Sequence, residues 1–328
     1  MSADSYAVGG HLLRMVDAEW SVDTISLDRL PSGRRLRTHR HHLEGGTGPR
    51  VVIVATQHGI ELAGVMVLRR LMGMLDPSDI AGEVTLVPVM NPLAFDHRSY
   101  MTPGDYDVLN PNLNRSWPGD PGGTLVERMC AAYWQMLEDA DVVVDLHTGT
   151  PTMAPHARVA SDRDATGLAS MTGWPIITVE DTGTAGAQTL RDAASTAGIT
   201  AITLELGDSR TLDPEMVAAG ADAVLAIVRH SVGREPGTTA PDISQQWVDA
   251  GHAVRVRTAG LFEPSGDCEV GAEVAAGSAL GTVFDPMRFE PLEEVIAPVD
   301  GLLYSRSVGG AIVAGERVAS IAVDTGAT

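Results

Sequence analysis

The sequence predicts an α/β fold with a mostly parallel or mixed central sheet flanked by helices, followed by a small all-β domain. Three observations lead there. From Val51 to about Val232, short β-branched runs alternate with stretches carrying apolar residues at helical spacing, the pattern of a sheet built through crossover connections. After that point helical periodicity gives way to short apolar runs between Gly-rich turns. The third observation is that apolar runs repeatedly lead into polar residues, namely His58, Glu61, Asn91, His147 and Glu205. These sit at predicted strand ends, where open α/β sheets gather their ligands.

Taken in order, residues 51–55 (VVIVA) are a strand, 61–75 a helix and 83–89 (EVTLVPV) a strand. A loop rich in Pro, Gly, Asp and Asn runs on to Gly123, and so long a loop in a compact domain points to function. Thr124 and Glu127 have capping-box spacing and open a helix with Leu125, Met129, Ala132, Tyr133 and Met136 on one face. DVVVDLH is a strand, PIITVE and ITAITLEL are strands around a helix near 187–197, and Asp213 and Pro214 begin another helix as N-cap and first-turn proline. GREPGTTAPD has the composition of a linker and divides the chain into residues 1–235 and 236–328. Beyond it, the run from EEVIAPVDG to VASIAV pairs apolar stretches around Gly turns, as in a small barrel or sandwich.

Composition narrows the function. At 328 residues with 44% hydrophobic content, the chain has the make-up of a soluble globular protein. A net charge of -20 argues against nucleic acid and anionic membrane as partners, because phosphate contacts need clustered cations. None of the 23 cations is lysine, which removes Schiff-base, lipoyl-lysine and P-loop-lysine chemistry. Cys130 and Cys268 are far apart in sequence and suggest neither a disulfide framework nor a thiolate metal site. No apolar stretch approaches the roughly 20 residues of a membrane span, and MSADSYAVGG lacks the features of a secretion signal, so a cytoplasmic location is expected.

Catalytic zinc usually takes three ligands from His, Glu and Asp and leaves a position for water. His58, in the turn after a strand, and Glu61, three residues on, are two candidates. The same spacing recurs at His41 and Glu44, where His39 and His41 alternate along a strand, so spacing alone does not select the pair. His147 closes VVVDL at a strand's carboxyl end, where a third ligand would come from. Asp145 falls on the same face, placed to accept the other N–H of a ligand histidine. Glu205, ending ITAITLE, is the candidate general base; a strand-end glutamate paired with an arginine is the alternative. The loop offers Arg98, Asn114 and Arg115, and arginine forks bind carboxylates and stabilise oxyanions, although a loop arginine is more often a solvated charge. Arg158 and Tyr304 are candidates for the pocket wall or ordinary packing residues, and Asn91 reads as shaping the loop.

HGIE, NPLAFDHR, LNRSWPG, DLHTG and ELG stand in an order and spacing that resemble the succinylglutamate desuccinylase and aspartoacylase family, relatives of the zinc carboxypeptidases, over about residues 50–230. The resemblance implies a carboxypeptidase-like fold with one zinc per chain held by His58, Glu61 and His147. Glu205 would be the base and proton shuttle, Arg98 would polarise the scissile carbonyl, and Asn114 and Arg115 would grip the substrate carboxylate. It further implies a lipoyl-like β domain partly covering the active-site mouth. Three positions depart from the family pattern: Asn112 where Asp is common, Trp117 where Phe is common, and Ile60 before the metal glutamate.

The expected function is therefore a zinc-dependent amidohydrolase cleaving a small N-acyl amino acid or related amide. A zinc carboxypeptidase acting on peptides is the alternative, disfavoured by a covered mouth. A third is a catalytically inactive metal- or ligand-binding protein. Assembly into a homo-oligomer is compatible with each.

Overall fold

The computed structural model describes residues 20–149, 152–161, 163–180, 188–234, 246–249 and 252–323. Among the described residues the central sheet has nine strands. In chain order they are β1 (Ser21–Arg29), β2 (Arg35–Glu44), β3 (Arg50–Ala55), β4 (Glu83–Val87), β5 (Val142–Gly149), β7 (His156–Ala160), β8 (Ile176–Glu180), β9 (Thr200–Asp208) and β10 (Gln246–Asp249); the two-residue β6 (Thr152–Met153) lies outside this sheet. Their order across the sheet is β1-β2-β4-β3-β5-β9-β7-β8-β10. Neighbours from β4 through β3 and β5 to β9 run parallel, and β7, antiparallel to β9, makes the sheet mixed. β5 is buried along its whole length, as expected of a strand covered on both faces.

Helices α1 (Ala63–Met72), α4 (Arg163–Met171) and α6 (Pro214–Val232) share one core with the sheet, built from residues such as Val67, Ala165, Leu168, Val224 and Ile227. On the other face α3 (Leu125–Leu137) and α5 (Leu190–Thr196) join a second core around Val52, Val54, Met129 and Tyr133. Thr124 and Glu127 form the expected capping box, in which each side chain accepts the other residue's backbone N–H. The fully buried stripe of α3 is Val126, Met129, Cys130, Tyr133 and Leu137, rotated from the expected face so that Leu125, Ala132 and Met136 flank it. The long loop also contains a helix too short for periodicity to reveal, α2 (Pro92–His97). Asn91 caps it, accepting from Ala94 N at 3.0 Å, with Pro92 at its first position.

Beyond the large sheet come β11 (His252–Arg255), β12 (Gly260–Pro264), β13 (Glu273–Val274), β14 (Ala279–Phe284), β15 (Pro291–Ile296), β16 (Gly301–Arg306), β17 (Gly310–Ile312) and β18 (Arg317–Ala322). They form two antiparallel sheets over their own core of Val256, Phe262, Leu280, Val283, Leu303 and Ile321. This β unit is tied to the large sheet. β6 pairs with β16, and β10, which follows the expected linker, extends the large sheet through β8. Most of that linker lies outside the described residues.

Candidate active site

β3, β5 and β9 are parallel neighbours, so their carboxyl ends lie side by side. The register sets His147 directly opposite Glu205. β3 ends at Ala55, and the chain then turns through Thr56, a buried β-branched residue held in the left-handed region at φ 58°. Such a conformation costs roughly 1–3 kcal/mol and survives only where its surroundings impose it. Here Asn91 N donates to Thr56 O at 3.0 Å, and the turn delivers Gln57, His58 and Glu61 to the cleft. α1 begins only at Ala63, so Glu61 stands in the turn before the helix.

His58, Glu61 and His147 come together. One ligand atom from each lies within 4.8 Å of the others, and all three residues are buried. Nδ1 of His58 is 2.8 Å from one oxygen of Glu61, and Nδ1 of His147 is 2.9 Å from the other. The outer nitrogens have separate partners: Nε2 of His58 faces Asn112 Oδ1 at 3.1 Å, and Nε2 of His147 faces Asp145 Oδ2 at 2.8 Å. Partners that occupy the outer nitrogens orient the rings with Nδ1 inward. Two imidazoles and one carboxylate converging in a buried space are a donor set suited to a divalent metal.

The charges of the cradle act strongly on one another. Burial opposes the charged form of His147, but the Asp145 and Glu61 carboxylates outweigh it and raise its pKa well above that of an ordinary imidazole. Burial likewise penalises charge on Glu61, yet His58 and His147 overcome it and hold the carboxyl at about 2. A metal entering this cradle must compete with the proton that these carboxylates favour on His147.

Behind the cradle runs a chain of donors: Trp117 Nε1 donates to Gln57 Oε1 at 2.8 Å, and Gln57 Nε2 donates to Asp145 Oδ2 at 2.7 Å. Two of the three departures from the family pattern thus act behind the ligands, Asn112 on His58 and Trp117 through Gln57 and Asp145. Gly59 explains why the turn is tight. A Cβ there would lie 2.1 Å from the backbone carbon of Ala94 in α2.

The cleft above the cradle holds about 680 Å³, mouth included, and its lining joins the cradle residues to Tyr100, Asn114, Arg115, Arg158, Arg191, Glu205 and Arg317. Glu205 accepts from Arg158 Nη1 at 3.2 Å. Arg158 also reaches Glu180 at 2.5 Å, and Arg191 holds the second oxygen of Glu180 at 2.5 Å. Burial opposes ionisation of Glu180, and the two arginines outweigh it and bring the carboxyl to about 2. Asn114 is tied to α5, since its Oδ1 accepts from Leu190 N at 2.9 Å.

Arg98 is not brought into this group. It is the left-handed C-cap of α2 at φ 52°, exposed and outside the cleft lining. Tyr100, two residues on, occupies the cleft instead, its ring stacked on His58 with centroids 4.0 Å apart and planes 11° apart. Sequence reasoning missed Tyr100, Arg191 and Arg317, none of which carries a local pattern different from an ordinary surface residue. Tyr304 lies against His156 with ring centroids 5.3 Å apart, outside the cleft lining. The second HxxE, at His41 and Glu44, lies within β2, where residues three apart face opposite sides of the sheet and cannot share an ion.

The model of the succinylglutamate desuccinylase/aspartoacylase catalytic domain matches residues 47–231. The chain belongs to this family. Among relatives, it is 30% identical over 298 residues to the N-alpha-acetyl-L-2,4-diaminobutyric acid deacetylase of Halomonas elongata, covering 84% of this chain and 83% of that protein. Among solved structures, a succinylglutamate desuccinylase/aspartoacylase from Rhodobacter sphaeroides superposes with a TM-score of 0.81 at 24% identity, covering 94% of this chain and 96% of that one. The product-bound ectoine utilization protein EutE (DoeB) of Ruegeria pomeroyi does so with a TM-score of 0.80 at 25% identity, covering 92% and 95%. These likenesses span the β unit as well as the family's catalytic domain.

Proposed function

We propose that this family member is a zinc-dependent amidohydrolase that removes the acyl group from a small N-acyl amino acid. The observation that carries the reading is the register of His147 against Glu205, which sets a carboxylate outside the ligand set beside the cradle of His58, Glu61 and His147. A zinc ion held there would supply Lewis acidity and lower the pKa of water.

The residues of the chain do the rest. Glu205 takes a proton from the attacking water as its oxygen bonds to the amide carbon and the carbonyl π pair moves onto oxygen. When the carbon–nitrogen bond breaks, its electron pair stays on nitrogen, which receives that proton from Glu205. The oxyanion pair re-forms the carbonyl as that bond breaks, and a carboxylic acid and an amine leave, the acid then passing its proton to the amine so that they separate as carboxylate and ammonium. Arg158 holds Glu205 at the cleft wall. Arg115, with no carboxylate partner among the described residues, is the grip for the substrate carboxylate, and Asn114 fixes the segment that carries it.

The division into a catalytic domain, 1–235, and a covering β domain, 236–328, belongs to the same reading. Its support is the separate core of the β unit and the arrival of Arg317, on β18, at the cleft. No described helix is long and apolar enough to cross a membrane. Hydrolysis of an N-acyl amino acid panel by zinc-loaded protein tests the function, with N-acetyl diamino acids included because of the Halomonas relative. Absence of amine release across the panel, alongside cleavage of C-terminal peptide ladders, would replace it with the carboxypeptidase reading.

A further inference from the structure

The cleft holds a ring that the mechanism above does not use. Tyr100 lies face to face with the candidate ligand His58. Its backbone is fixed to the ligand turn, since Gly59 N donates to Tyr100 O at 3.1 Å. Its phenol stands within electrostatic reach of Glu61, Glu205, Arg115 and Arg317. Among the described residues, no hydrogen bond engages its hydroxyl. Two other hydroxyls of the lining are engaged: Thr148 bonds Ser209 at 3.0 Å, and Thr189 caps α5. The arginine that the family resemblance nominates as carbonyl polariser, Arg98, is exposed at the far end of α2.

From this arrangement we infer that Tyr100 is a catalytic residue whose phenol O–H donates a hydrogen bond to the substrate carbonyl oxygen as negative charge develops there. The assignment rests on the amidohydrolase reading. No proton leaves the phenol at any step: the hydroxyl is a donor in ground and transition states, and the bond shortens as the carbonyl pair moves onto oxygen. Stacking against His58 fixes the ring before substrate arrives, and preorganised donors of this kind lower barriers most.

Tyr100→Phe tests the assignment because it removes the hydroxyl and keeps the ring that packs on His58. On zinc-loaded protein the expected result is a fall in kcat of roughly 10²–10³, the usual effect of losing one oxyanion donor, with KM and bound zinc unchanged. A second measurement needs no turnover. A phosphonamidate analogue, whose tetrahedral oxygens mimic the oxyanion, should bind the variant about 10²-fold more weakly by calorimetry, while the product amino acid binds equally to both. Wild-type kcat in Tyr100→Phe beside an inactive Glu205→Gln would overturn the role of Tyr100 and leave the function standing. A kcat loss confined to Arg98→Ala would return the role to Arg98. Wild-type protein that neither releases amine nor binds the analogue would overturn the amidohydrolase reading and the assignment together.

Discussion

Gln57 Nε2 donates to Asp145 Oδ2 at 2.7 Å, directly behind the ring of His147. One carboxylate oxygen is thereby shared between the amide of Gln57 and the imidazole of His147. Asp145→Asn keeps the shape but loses the charge and sets two amide groups against each other. Affinity for zinc should fall about 10–100-fold, while turnover at saturating zinc changes far less. Competition with a chelator measures the first and steady-state kinetics the second.

Glu205→Gln should retain stoichiometric zinc, because Glu205 is outside the cradle, and lose roughly 10²–10⁴ in kcat. Elemental analysis and kinetics on the same preparation check both halves. Near wild-type hydrolysis would exclude Glu205 as the base.

Arg115→Lys preserves charge but not the fork that binds a carboxylate through two parallel bonds. KM for an N-acyl amino acid should rise about tenfold with kcat little changed, since a mainly ground-state grip is lost. A matching substrate without the carboxylate should show no difference between the two proteins.

Glu180, shared by Arg158 and Arg191, has a folded-state pKa of about 2. An unfolded glutamate titrates near 4.3. The depressed value means that its stabilisation is fully present above the unfolded pKa and is lost as pH falls from there towards 2. The contribution is on the order of 2 kcal/mol after allowing for partial exposure. Glu180→Gln should therefore lower denaturant midpoints at pH 7 and flatten the loss of stability between about pH 4 and pH 2. An unchanged acid profile would remove Glu180 from the network that steadies Arg158.

Gly59→Ala should disturb the site without touching a ligand, because the added Cβ meets the backbone of α2. A loss of about 1–3 kcal/mol is expected together with weaker zinc binding, since either α2 or the His58 turn must shift. Chemical denaturation and zinc titration read the two effects.

Much of the site was legible in the sequence because strand ends obey simple rules. His147 and Glu205 terminate apolar runs that burial forces into the sheet centre, and two such strands in parallel place their last residues together. The HxxE pair gained meaning from its place after a strand, which the copy at His41 lacks. Arg98 and Tyr100 were not separable in this way. They stand two residues apart across the C-cap of α2, and only the left-handed turn at Arg98 decides which side chain faces the cleft. Arg317 was hidden for another reason. It reaches the site from the far end of the chain, a proximity that no local pattern carries.

The position of Arg317 bears on how such an enzyme adapts. The groups assigned to bond breaking come from residues 58–205, whereas Arg317 projects from β18, whose strand neighbours β11 and β16 also belong to the β unit. Substitutions there alter the rim of the cleft and leave the cradle's hydrogen bonds intact. This part of the cleft wall can thus vary independently of the residues assigned to hydrolysis, one route by which the shape of the cleft changes while the hydrolytic apparatus is inherited.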